Sequence, residues 1–279
     1  MTKAHVDYGP RLIASATGHL TAALVAAPTP AIESAAPLQA EPSAVYERAR
    51  TEHEVFVKTL KFFGVEVTLI EPPLDHALAC AVGDLAVVLE HGAVIMRPSS
   101  FARRDEPAWI EDEFSKLDVP IGAHIDAPSL LDGNDVLLVA DVAFIGITSR
   151  SNALGRGAFA AIARANGLRV VEVAVPGRIA SLRSVVTAVA KDTVAVAAQG
   201  VDPAVFEALD LRVITIPADG ALGAGPLCVG EHHVLADVRF PRAIDALRAE
   251  GITVDAIDLY DFARVGLAPA ALAIAVKRL

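Results

Sequence analysis

The chain has 279 residues, 24 Lys+Arg against 34 Asp+Glu for a formal charge of −10, and 53% hydrophobic but only 5% aromatic residues. A chain of this length buries well over half of its unfolded surface and needs no covalent staples. Its two cysteines, Cys80 and Cys228, exclude a disulfide framework and fit a reducing, cytoplasmic setting. The negative field argues against nucleic acid and anionic membrane as partners and is compatible with a small cationic ligand.

The mean hydropathy is high at +0.47, but it comes from Ala, Val, Leu and Ile in short runs broken by Gly, Pro and charge. Residues 12–32 carry no Lys, Arg, Asp or Glu, yet Gly18, His19, Pro28 and Pro30 interrupt them. The longest apolar piece is 22–27, too short for a membrane span or a signal-peptide core, so a buried strand is predicted there. Residues 43–63 read as a helix with Val45, Ala49, Phe56, Leu60 and Phe63 near one face, Ser43 as N-cap and Gly64 as terminator. A strand over 65–70 follows, closed by Glu71-Pro72-Pro73.

From there one unit recurs: two short apolar runs split by a turn, a helical run, and a third apolar run. Residues 85–89 and 93–96 flank Glu90-His91-Gly92 and lead to a helix near 108–117. Residues 136–140 and 142–148 flank Asp141, before a helix over 158–166, Gly167 and a strand at 169–173. Residues 185–189 and 193–197 flank Lys191-Asp192, before 203–209 and 211–216. Residues 227–229 and 234–237 flank Glu231-His232-His233, before 242–250, Gly251 and 252–257. The last apolar run, 272–276, has no later partner and would complete a fifth unit with the first strand at 23–27. A spacing of about 40 to 50 residues is that of a repeat architecture. The reading is an α/β fold of one domain over 1–279, strands inside and helices outside, closed by its two termini.

This pseudo-fivefold αβ propeller resembles the pentein, or amidinotransferase, fold. Four segments carry a closer resemblance to the dimethylarginine dimethylaminohydrolase branch. Arg97-Pro98-Ser99-Ser100-Phe101-Ala102-Arg103-Arg104-Asp105-Glu106 is similar to its RPGAPSRRGE loop, and Leu131-Asp132-Gly133-Asn134-Asp135-Val136-Leu137 to its LDGGDVL turn. Gly146-Ile147-Thr148-Ser149-Arg150-Ser151-Asn152 is similar to its GLSxRTN strand end, and residues 182–188 resemble the segment after its catalytic histidine. The resemblance implies strands around a central channel and hydrolysis of a C–N bond in a guanidino compound. In that chemistry a cysteine thiolate attacks the guanidinium carbon, a histidine protonates the departing amine, and acidic residues grip the guanidinium nitrogens.

Carried over by position, the histidine falls on Ser181, the cysteine on Pro269, and the glutamate of the acidic pair on Gly83, leaving Asp84. Proline offers neither a nucleophile nor an amide hydrogen, and loss of a nucleophile and its base removes on the order of 10⁶ in rate. Arg150 matches the arginine that holds the substrate's α-carboxylate, a contact suited to a planar guanidinium. An internal ion pair is the other reading of Arg150. Arg103 or Arg104 matches a second substrate-side arginine, against the alternative of a solvated loop with Asp105 and Glu106.

The expectation is therefore a pseudoenzyme: a dimethylargininase-like pentein that binds a small arginine-like amino acid without the Cys/His machinery. One alternative is an amidinohydrolase or amidinotransferase with another chemistry, using Asp84, Ser181 or Cys228. The other is a structural or partner-binding protein with a vestigial pocket. No cofactor or metal is expected, since Cys228, His232 and His233 lack a supporting ligand pair, and the sequence leaves oligomeric state open. Cys80 reads as core, and His53 and His76 as helix-surface or loop residues. Residues 222–226 lack the Lys-Ser/Thr of a phosphate loop. Residues 153–157 read as a turn whose glycines shape a pocket mouth.

Overall fold

The computed structural model describes residues 9, 11–37, 42–72, 76–177, 179–217 and 221–279. Pro73, expected to help close the second strand, lies outside them. In chain order the elements are β1 (Leu20–Ala26), α1 (Tyr46–Phe62) and β2 (Glu66–Ile70), then β3 (Ala86–Val88), β4 (Ala93–Ile95), α2 (Glu106–Lys116) and β5 (Ile121–His124). Next come β6 (Val136–Val139), β7 (Val142–Ile147), α3 (Ala153–Ala165) and β8 (Arg169–Ala174), and then β9 (Val186–Ala190), β10 (Thr193–Ala197), α4 (Ala204–Glu207) and β11 (Arg212–Ile216). The chain closes with β12 (Leu227–Gly230), β13 (His233–Asp237), α5 (Pro241–Ala249), β14 (Thr253–Ile257), α6 (Tyr260–Arg264) and β15 (Ile274–Arg278).

Five three-stranded sheets repeat one topology: an antiparallel pair, then a third strand parallel to the middle one, reached through a helix. The fifth sheet has the order β15-β1-β2, with β15 antiparallel and β2 parallel to β1, so the last strand supplies the member that the first unit lacks. A parallel pair needs a long crossover, which is why a helix follows every hairpin. The first strands β3, β6, β9, β12 and β15 surround one axial cavity. Their near-continuous Val, Leu, Ile and Ala runs reflect burial on both faces. Helix ends are set by Gly64, Gly167 and Gly251, at φ of +80°, +79° and +83°, a region that costs glycine nothing. Among the described residues no helix is long and apolar enough to cross a membrane.

Three local expectations are corrected. Ser43 does not cap α1; the helix starts after Val45, whose N–H donates to Asp261 Oδ1 at 2.8 Å, so the cap comes from a carboxylate 216 positions away. Residues 153–157 are the first turns of α3 and not a pocket mouth. Asn152 caps that helix by accepting from the Gly155 N–H at 2.7 Å, and a Cβ at Gly155 would lie 2.1 Å from the Leu130 carbonyl oxygen, so the glycine permits close packing. His53, on α1, is 3% exposed and is not a helix-surface residue, whereas His76 lies in a loop as expected, although only 7% exposed. His53 joins the apolar stripe of α1 beside Phe56 and Phe262, and burial lowers its pKa to about 4. His76 packs against Asp105 and Glu106.

Candidate functional site

Each innermost strand is entered through a short 3-10 turn: Val82–Asp84, Gly133–Asp135, Leu182–Ser184, Ala221–Ala224 and Pro269–Ala271. The turns meet around one end of the axis. Asn134 Nδ2 donates to Asp84 Oδ1 at 2.7 Å, the Leu182 N–H to Asp135 Oδ1 at 3.0 Å, and Arg183 Nη2 to the Ala270 carbonyl at 3.1 Å. The Ala270 N–H reaches the Gly225 carbonyl at 3.2 Å, and a Cβ on Gly83 would stand 3.0 Å from the Ala271 carbonyl oxygen, which closes the ring.

Asp84 is the hub. It is 1% exposed; Arg103 Nη1 donates to its Oδ2 at 2.6 Å and Arg150 Nη1 to the same oxygen at 3.2 Å. Burial opposes the charge of Asp84, but Arg150, Arg103 and the Asn134 amide outweigh it and hold the carboxyl below its usual range. Arg103 is clamped on its other side by Glu106, with Nη2 to Oε2 at 2.6 Å, and Glu106 is fully buried. Arg150 Nη1 also reaches Asp132 Oδ2 at 3.3 Å. Burial and the charge of Asp84 push Asp132 up to about 7, with Arg150 pulling the other way. Asp135 is raised to about 6 by burial, against a hydrogen bond from the Thr148 hydroxyl.

Of the residues singled out in the sequence, Asp84, Arg103 and Arg150 thus come together in one buried network. The solvated-loop reading of Arg103 is corrected: it is 7% exposed because Asp84 and Glu106 neutralise it. Arg104 stands apart, half-buried, with Nη2 donating to the Ser99 carbonyl at 3.1 Å. Asp132, Asn134, Asp135, Arg183 and Glu106 also belong to the network. All five lie inside the quoted motifs as polar residues entering apolar strands or helices, and that was the available signal.

Ser181 and the Pro269 turn face one small pocket beside Arg150. It is lined by Asn134, Arg150, Ser181, Arg183, Leu267 and Ala271, among others, with a volume of about 10 Å³. That is room for about one water molecule. Among the described residues no cysteine or histidine lines it. A side chain at Gly83 would crowd its neighbours, since a Cβ would also meet Asn134 Oδ1 at 3.0 Å. Cys228 faces the axial cavity instead, its thiol raised by burial, and Cys80 is buried with a pKa of about 12. A thiol so raised is not a ready nucleophile. His232 is exposed in the β12–β13 turn, and His233 opens β13 and pairs with Asp255 at 2.7 Å. Neither lies in the pocket.

Five hairpin-helix-strand units around an axis, with a polar ring of turns at one end, make up the pentein, or amidinotransferase, fold. Known relatives narrow the class. The chain is 28% identical over 227 residues to the N(G),N(G)-dimethylarginine dimethylaminohydrolase of Streptomyces coelicolor, covering 78% of this chain and 85% of that protein. It is 24% identical over 220 residues to the Pseudomonas aeruginosa enzyme of the same name, covering 79% and 85%. The structure of a cysteine-to-serine mutant of the dimethylarginine dimethylaminohydrolase from P. aeruginosa, complexed with citrulline, superposes with a TM-score of 0.83 at 21% identity, covering 92% of this chain and 99% of that one. An amidinotransferase from Microseira wollei in the saxitoxin pathway superposes at 0.80, with 14% identity and 97% and 98% coverage. No protein-family model matches the chain. The chain has the pentein fold, and in sequence it is similar to dimethylarginine dimethylaminohydrolases.

Proposed function

We propose that this chain is a single-domain, non-hydrolytic pentein of the dimethylargininase-like kind, which keeps a small amino-acid pocket anchored by Arg150. The observation that carries the reading is the pocket lining: two guanidiniums, an amide, serine hydroxyls and an apolar loop, with no thiol or imidazole. The thiolate reaction lacks its nucleophile, its imidazole and one of its two acids where the resemblance places them. Pro269 opens a buried turn where the resemblance places the nucleophile. Ser181, where it places the histidine, carries a hydroxyl that does not titrate near neutrality and so cannot serve as a histidine does. Gly83, where it places one acid, is packed against the Ala270 and Ala271 carbonyls.

The acid that remains is filled from within. The Arg150 guanidinium lies between Asp84 and Asp132, and that of Arg103 between Asp84 and Glu106. A cationic ligand side chain meets carboxylates already neutralised. Arg150 is 27% exposed and keeps donors beyond Nη1 for a ligand carboxylate, and Arg183 adds a second cation. The arrangement favours an amino acid with a neutral side chain, such as citrulline, over arginine. Entry requires the 267–271 loop to move, because the closed pocket holds about 10 Å³. That small volume supports a second reading, in which the pocket is vestigial. Buried, unpaired cysteines fit a cytoplasmic setting.

Thermal shift against citrulline, arginine, methylated arginines and ornithine separates the readings. Citrulline is expected to raise Tm more than arginine does; no response to any of the compounds establishes the vestigial reading instead.

A further inference from the structure

The axial cavity lies behind the pocket and has a volume of about 100 Å³. Its wall is mostly Ala, Val, Leu and Ile from the five innermost strands, yet two arginines face it, Arg183 and Arg278. Arg278 is 6% exposed. Its Nη1 donates to the Gly18 carbonyl at 2.9 Å and its Nη2 to the Cys228 carbonyl at 2.6 Å. Arg183 donates to Asn134 Oδ1 at 3.2 Å and to the Ala270 carbonyl at 3.1 Å. All these acceptors are uncharged, in contrast to the paired carboxylates around Arg103 and Arg150. Each guanidinium has five N–H donors, and among the described residues two of them are given to the protein.

Two buried cations sharing one cavity, with no carboxylate among its described lining residues and Asp84 acting on Arg183 only from outside it, are costly, because each loses water and repels the other. That repulsion, after burial, is a cause of the lowered pKa of Arg183. An electrostatic debt of this kind is relieved by an anion held between the two forks. The volume admits several waters or one tetrahedral or carboxylate group, at roughly 10 to 15 Å³ per water. We propose that the axial cavity is a binding site for a small oxyanion, such as phosphate, sulfate or a short carboxylate, gripped by Arg183 and Arg278. Arg183 also lines the outer pocket and bonds Asn134, which bonds Asp84. An anion on the axis therefore fixes the back wall of that pocket, whatever the pocket itself binds.

The test uses the full chain, titrated with inorganic phosphate at constant pH and ionic strength, with gluconate as the bulky replacement anion. Wild type is expected to show a saturable rise in Tm, and Arg278→Met at least a tenfold weaker apparent affinity. A crystal soaked in selenate is expected to give an anomalous peak on the axis within hydrogen-bond reach of both guanidiniums, which keeps the proposal testable if the variant does not fold. A shift that does not saturate, an equal response in Arg278→Met, or a cavity holding only water after the soak overturns it.

Discussion

Replacing Arg150 by Met removes the cation shared by Asp84 and Asp132 while keeping most of the side-chain bulk. At effective interior screening, charges about 4 Å apart attract by about 4 kcal/mol, so two such contacts give about 8 kcal/mol gross. Desolvation of the guanidinium and repulsion between the two aspartates cancel much of this. Asp84 also keeps Arg103 and Asn134 in the variant. The net loss is expected to be about 3 kcal/mol at pH 7, the scale of leaving a buried charge behind. The pH profile carries the specific signature. Asp132 has a native pKa raised to about 7 from 3.8. The unfolded state thus ionises first, and stability falls with rising pH until the native group ionises near pH 7. Without Arg150 that group is raised further, so the fall continues above pH 7 at about 1.4 kcal/mol per pH unit. Asp135, which Arg150 also holds down, moves the same way. Urea unfolding of both proteins from pH 6 to 9 is expected to show a difference that widens above pH 7. A difference below about 1 kcal/mol, or one independent of pH, would mean that Arg150 does not hold these acids.

Gly83→Glu is expected to lose at least about 2 kcal/mol by urea unfolding, since its Cβ alone meets two oxygens at 3.0 Å and its carboxylate would join Asp84 in the interior. Native protein at pH 8 should resist iodoacetamide, because burial raises both thiols; intact mass should show two adducts only after unfolding. Asp261→Ala should cost about 3 kcal/mol, because it uncaps α1 and strands Arg264, which is 7% exposed and bonded to Asp261 at 3.0 Å. Asp261→Asn, which keeps an acceptor for Val45, should lose less.

The repeat was legible because its punctuation is local. Gly64, Gly167 and Gly251 end α1, α3 and α5 at positive φ, and apolar runs split by charged turns mark the hairpins. The fifth sheet was legible from a surplus: one apolar run at each end without a neighbour. What was not legible depends on distant partners. The cap of α1 is Asp261, and Ser43 offers only its carbonyl, to Arg264 at 3.0 Å. Arg103 looked solvated because Asp105 and Glu106 follow it, but Asp84 lies 19 positions upstream and draws it inside. Arg183 carries no local signal of its place beside Ser181, yet it lines both the pocket and the axis. His53 was hidden on a helix rich in charge, its ring among phenylalanines.

The proposed non-hydrolytic pocket lacks the thiol, the imidazole and one acid of guanidine hydrolysis. Incubating the purified chain with N(G),N(G)-dimethylarginine and quantifying dimethylamine and citrulline by mass spectrometry tests this directly. No product above the buffer control is expected, over any pH from 6 to 9. Turnover that is abolished by changing Asp84, Ser181 or Cys228 would contradict the claim and place an active hydrolase in this fold.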